Sequence, residues 1–136
     1  MNGVLQTRGG IVASIWLYGE HLGVNDLVER TCLRQGWPVR RGVDVASDMD
    51  SLREQPPALL LLVAGRTARD DFAALYAVRA DAALAAVPVM MIGIPGGPVR
   101  ELEEAVALGA NEFMDSPFHV EEFVSRVSLL LGTRDA

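Results

Sequence analysis

Two histidines, one cysteine and a scatter of carboxylates are the residues of this 136-residue chain whose types could carry chemistry. His21 and His119 fall in different loops, and neither has a serine or cysteine at a spacing that would pair a nucleophile with a base or build a zinc site. Cys32 stands alone, which excludes an intramolecular disulfide and a thiolate cluster, fits a reducing compartment, and reads as a small apolar residue packed in a helix. The loop Gly93-Ile94-Pro95-Gly96-Gly97-Pro98 has the glycines of a phosphate cradle but neither the Lys-Ser or Lys-Thr of a P-loop nor dinucleotide-fingerprint spacing. Asp70 and Asp71 read as helix-capping acids. The expectation is a chain with no catalytic residue, no resident metal and no cofactor.

The elements that would have to position a site are easier to read. Pro56-Pro57 bounds the apolar run Ala58 to Gly65, too short for a membrane span and too continuous for a strand with one wet face, so it reads as the central strand of a sheet covered on both sides. In doubly wound folds, ligands sit just outside the carboxyl ends of such strands. Here those ends are Val63, Ala64 and Gly65, none of which carries chemistry. Ile11 to Tyr18 reads as a second buried strand stopped by Gly19, and Leu22 to Gln35 as a helix stopped by Gly36. Pro38 to Val43 is a short candidate strand, and Ser47 with Asp50 offers a weak capping box for a helix reaching Glu54. Asp70 or Asp71 starts a helix expected to run to about Ala86, and Val87 to Ile92 is a further strand. Leu102, Val106 and Leu108 mark a helix ended by Gly109, a short strand follows near Glu112 to Asp115, and Phe118 to Leu131 closes as a helix. The alternation makes five β/α units, which implies parallel pairing, right-handed crossovers and helices on both faces.

Half of the residues are apolar, enough for one core, and no repeat or linker divides the chain. Residues 1–10 read as a flexible lead-in, 11–132 as the domain, and 133–136 as a tail or the start of a linker. A net charge of -6 argues against tracking a phosphate backbone, so direct nucleic-acid binding is not expected. With no basic segment followed by a long apolar core, and no apolar run of the roughly 20 residues that span a bilayer, a soluble cytoplasmic protein is expected.

The stretch from Asp70-Asp71-Phe72 through Arg79-Ala80-Asp81 to Pro88-Val89-Met90-Met91-Ile92 resembles the third helix and fourth strand of the receiver domain of two-component response regulators. Ala107-Leu108-Gly109-Ala110-Asn111-Glu112-Phe113, followed by Ser116-Pro117-Phe118, is similar to the segment around that family's fifth strand. The resemblance covers nearly the whole chain. It implies the flavodoxin or CheY-like fold: α/β, (βα)5, a doubly wound parallel five-stranded sheet of order 2-1-3-4-5.

The family's reaction needs an aspartate to attack phosphohistidine, acids to hold a divalent cation, a lysine and a hydroxyl. Carried over by that resemblance, the acceptor position falls on Val63, the acidic pair on Gly19 and Glu20, the hydroxyl on Gly93, and the lysine on Ser116, beside Pro117, which matches the family's cis proline. The resemblance therefore implies a dismantled phosphoacceptor pocket. Glu20 reads as a solvated carboxylate at a helix start or a vestigial metal ligand, Ser116 as a turn residue or a phosphate contact, and Asp70 and Asp71 as helix caps, with a substitute acceptor as the less favoured reading. Phe113 matches the switch aromatic; opposite Gly93 its ring is either free to move without a phosphate signal or locked.

The resemblance also implies an output surface on the fourth helix, fifth strand and fifth helix, here Arg100, Glu103, Glu104, Ala107, Glu112, Asp115, Glu122 and Arg126. Opposite charges on neighbouring elements suit a two-fold homodimer, while a plain solvated face is the alternative. The leading expectation is a pseudo-receiver: a phosphorylation-independent protein-interaction and dimerisation module in bacterial signal transduction, acting on a partner or an attached output domain. The alternative is a small-ligand sensor using the emptied strand-end pocket. A flavodoxin-like redox protein is the weakest reading, because Tyr18 to Gly23 lacks a Ser/Thr cluster for phosphate.

Overall fold

Proline and turn placement decide where each strand begins. In the computed structural model, which describes residues 7–8, 11–12, 14–19, 21–65 and 69–132, the sheet strands are β1 (Ile15–Tyr18), β2 (Val39–Arg41), β3 (Leu59–Ala64), β4 (Val89–Gly93) and β5 (Glu112–Asp115). All pairings are parallel and the order is β2-β1-β3-β4-β5, as the resemblance implies. Every residue of β1, β3 and β4 is buried, the signature of strands covered on both faces.

The helices are α1 (Leu22–Arg34), α2 (Met49–Glu54), α3 (Arg69–Ala80), α4 (Leu102–Ala107) and α5 (Val120–Leu131). Alternation along the strands sorts the core into two layers. Trp16, Tyr18, Leu60, Leu62 and Met91 pack with Leu52 of α2, Leu75 and Val78 of α3, Ala105 of α4, and Phe113. On the other side Ile15, Leu17, Leu61, Val63 and Ile92 pack with Val28 and Cys32 of α1 and Phe123 and Val127 of α5.

The predicted strand Ile11 to Tyr18 is divided. Ile11–Val12 pairs antiparallel with Thr7–Arg8, and only Ile15–Tyr18 joins the sheet. The neighbouring strands explain the boundary: Ile15 N–H donates to the Pro38 carbonyl and Ala58 N–H to the Ser14 carbonyl, and before those points the neighbours are proline and turn. Thr7 and Arg8, which the sequence assigns to the lead-in, are thus paired, and most of residues 1–10 and all of 133–136 lie outside the described residues.

The third helix stops at Ala80 instead of about Ala86. Asp81 ends it, its carboxylate accepting the Ala83 N–H at 2.9 Å and its carbonyl those of Leu84 and Ala85. Such local side-chain and carbonyl bonds compete with helix continuation. Ser47 makes no capping box; it bonds to Asp44, and Asp48 is the N-cap position of α2. α5 begins at Val120 and ends in Gly132 at φ 64°, a left-handed cap that glycine adopts without strain.

Candidate functional site

The carboxyl ends of β1, β3, β4 and β5 gather Gly19, Val63, Gly93 and Ser116-Pro117 at one edge of the sheet, with Ala64 opposite Gly93 and Gly93 opposite Asp115 in register. Glu20 lies outside the described residues. Val63 is fully buried among the apolar residues facing α1 and α5. A side chain added at Gly19 would meet the Val63 Cβ at 2.7 Å and its carbonyl oxygen at 2.9 Å, and Gly19 holds φ +134°, where an L side chain is strained. The two strand ends therefore close on each other.

Gly93 is filled in the same way from the other layer. A Cβ there would lie 2.8 Å from Phe113 Cζ, 2.8 Å from Asp115 Oδ1 and 3.0 Å from the Val99 carbonyl oxygen. Phe113 is buried, so its ring takes the space a hydroxyl side chain would need. In the described conformation the Phe113 ring is turned inward over Gly93. Ser116 is structural in its contacts: both its hydroxyl and its N–H donate to the Gly93 carbonyl, ahead of the cis Ser116-Pro117 bond. Gly19 and Gly93 thus leave no room for a side chain at these strand ends.

Two aspartates beside this edge, Asp48 and Asp71, are committed to loop structure. Tyr18 Oη donates to Asp48 at 2.8 Å, the same carboxylate oxygen accepts the Val43 N–H at 3.0 Å, and Asp71 accepts the Val45 N–H at 2.9 Å. Burial raises the Asp71 carboxyl above the usual carboxylate range, partly countered by the Val45 bond. Burial first, then the Asp48 bond, raises the Tyr18 phenol. Asp71 thus tethers α3 to the β2–α2 loop, a through-space bond that the capping reading of the sequence did not find. Among the described residues no group of three His, Cys, Asp or Glu is placed to hold a metal ion. His21 is the N-cap of α1, its Nδ1 accepting the Val24 N–H at 3.2 Å, and His119 is the N-cap of α5. Cys32 is buried, with its thiol pushed up to about 12 by desolvation, which makes it a poor nucleophile.

The predicted output surface is brought together. Arg126 of α5 reaches Glu122 at 2.8 Å, Glu112 of β5 at 3.2 Å and the Phe113 carbonyl at 3.1 Å. Glu104 accepts the Arg100 backbone N–H at 2.7 Å. Arg126, Glu112 and Glu122 thus pair within the protomer, while Arg100, Glu103 and Asp115 form no ion pair among the described residues. Arg100, Phe113, Asp115, Phe118, Glu122 and Arg126 border a cleft of about 370 Å³ between the α4 lead-in and α5. Within α4 only Ala105 is buried, and Leu102 and Val106, which the sequence reads as marking the helix, face solvent. Their i, i+4 spacing places both on one face of the helix.

The geometry defines a class. The strand order, the two helical layers and the cis Ser116-Pro117 turn make the receiver, or CheY-like, fold of two-component response regulators. The receiver domain of NtrX from Brucella abortus superposes with a TM-score of 0.73 over 88% of this chain and 99% of that one, at 23% identity. The chemotaxis protein CheY4 of Vibrio cholerae gives 0.70 over 87% and 98%, at 16% identity. In sequence the chain is 28% identical over 112 residues to RpaA of Synechocystis sp., a protein described as a DNA-binding dual master transcriptional regulator; the match covers 82% of this chain and 46% of the relative. The chain thus spans less than half the length of that curated relative. No family model matches it.

Proposed function

We propose that this chain is a pseudo-receiver, a signalling domain that works through protein contacts without accepting phosphate. The observation that carries the reading is the fully buried Val63 packed against Gly19, at the strand end where phosphoryl transfer would need an exposed aspartate beside further acids. Phe113 over Gly93 supports it, because the ring is already inward with no hydroxyl there to report a phosphoryl group. The working surface is the α4-β5-α5 face, engaging a second copy, a protein partner or an output domain. The RpaA likeness, confined to under half of that regulator, supports a role as the regulatory piece of a longer transcriptional protein.

The test is incubation with acetyl phosphate, or with beryllofluoride and Mg²⁺, followed by intact-mass spectrometry and amide shift mapping. The expected result is an unmodified mass and unchanged shifts at Val63, Gly93 and Phe113. A stoichiometric adduct on any aspartate overturns the reading.

A further inference from the structure

Two features on opposite sides of the sheet remain without a partner. On α4, Leu102 and Val106 stand one turn apart on one face, 47% and 53% exposed, so the helix carries an apolar ridge into solvent. Glu101 and Glu103 flank Leu102, and neither carboxylate forms an ion pair among the described residues. On the other layer Leu27, Arg30, Thr31 and Arg34 of α1 recur at helical spacing along one face and, with Val120 at the start of α5, enclose a groove of about 250 Å³. Leu27 and Val120 are 37% and 42% exposed, and Arg30 and Arg34 form no ion pair among the described residues.

An acidic-edged apolar ridge and a basic-edged apolar groove are complementary in both charge and hydrophobicity. The groove is below the roughly 300 Å³ at which small-molecule pockets begin, a size that suits inserted aliphatic side chains better than a metabolite. α4 and α1 cover opposite faces of the sheet, so one copy cannot satisfy its own pair.

We propose that the chain associates head to tail with a second copy: the Leu102/Val106 ridge of one seats in the α1–α5 groove of the next, with Glu101 and Glu103 facing Arg30 and Arg34. This rests on the reading of α4 as a docking element and names its occupant. The contact is heterologous, because different patches meet, and each added copy leaves one ridge and one groove open. It therefore differs from a two-fold α4-β5-α5 dimer, which would bury the same patch from both copies.

The decisive experiment is light scattering across a wide concentration range on the wild-type chain, on E101R/E103R, and on R30E/R34E, with circular dichroism confirming that each variant is folded. All four positions are exposed, so the substitutions leave the core intact. The wild-type average mass is expected to climb past that of a dimer, and each double variant to stay monomeric. A 1:1 mixture of the two variants should recover association, since the reversed ridge of one then faces the reversed groove of the other. L102S/V106S, which keeps every charge, should also be monomeric. A wild-type mass that stays monomeric at all concentrations overturns the proposal, as does a mixture that fails to associate. A mass that stops at the dimer and ignores R30E/R34E overturns it as well, while leaving α4 as a two-fold docking face. None of these outcomes bears on phosphate acceptance, which the acetyl phosphate experiment decides separately.

Discussion

At the scale of the residue, Val63 carries most of the argument, because an acid placed there has nowhere to go. Its side chain is fully buried among Leu61, Ile92, Phe123 and their neighbours, and the Gly19 backbone lies against it. Val63→Asp is expected to bury an unpaired carboxylate, costing about 3–5 kcal/mol in denaturant unfolding at neutral pH. The variant should also remain unlabelled by acetyl phosphate, since Gly19, Gly93 and Ser116 supply neither a cation site nor a lysine. A variant as stable as the parent, or one that is phosphorylated, would show that the strand end is a relaxed pocket instead of a packed one. The sequence disclosed this site only as a set of absences. What fills it, the Val63 contact to Gly19 and the Phe113 ring over Gly93, involves residues far apart in the chain, and such contacts leave no local pattern to read.

At the scale of the element, the legible parts were those whose pattern is self-contained. The continuous apolar runs of β3 and β4 and Gly36, the glycine that follows α1 at positive φ, can be read directly, because burial on both faces and a left-handed turn are written in neighbouring residues. Boundaries set by another segment were not legible: β1 starts where Pro38 and Ala58 offer partners, and α3 ends where Asp81 turns the chain. Arg79 is the clearest such case. In the sequence it is one residue near the end of a helix, yet its guanidinium donates to the carbonyls of Gly109, Ala85 and Val87 and to Asn111 Oδ1. It ties the end of α3 to the entrances of β4 and β5, and its half-burial lowers its pKa through desolvation. Arg79→Met, which keeps the stem but removes the donors, should destabilise the fold by roughly 3 kcal/mol, because charged hydrogen bonds are lost and partly buried carbonyls are left unmet. Native-state hydrogen exchange should show the loss concentrated at Val89 and Asn111, and uniform loss across the sheet would refute a local clamp.

At the scale of the whole molecule, the strand order and the two helical layers followed from five β/α units and the family resemblance, while stability against pH depends on which groups those layers enclose. Among the described residues, Cys32 of α1 is buried on one side of the sheet and Tyr18, in the layer of α2 and α3, on the other. Burial raises Cys32 from its ordinary 9.0 to about 12, and burial with the Asp48 bond raises Tyr18 above its ordinary 10.0. Both folded values lie above the unfolded ones, so the stability each group contributes is fully present below its ordinary value and is lost as pH rises from there toward the folded value. Above those ordinary values the unfolded chain releases protons that the folded chain keeps. Each group then subtracts about 1.4 kcal/mol per pH unit, beginning with Cys32 and joined by Tyr18. Urea unfolding at intervals from about pH 8 to about pH 11 should show stability level at first and then falling, with the slope steepening as the phenol joins. Tyr18→Phe should remove the second part of the slope while Cys32 keeps the first, and native Cys32 should resist alkylation at pH values where the unfolded thiol reacts. A flat profile through this range, or rapid alkylation of the folded chain, would mean that these two side chains are not enclosed by the layers as described.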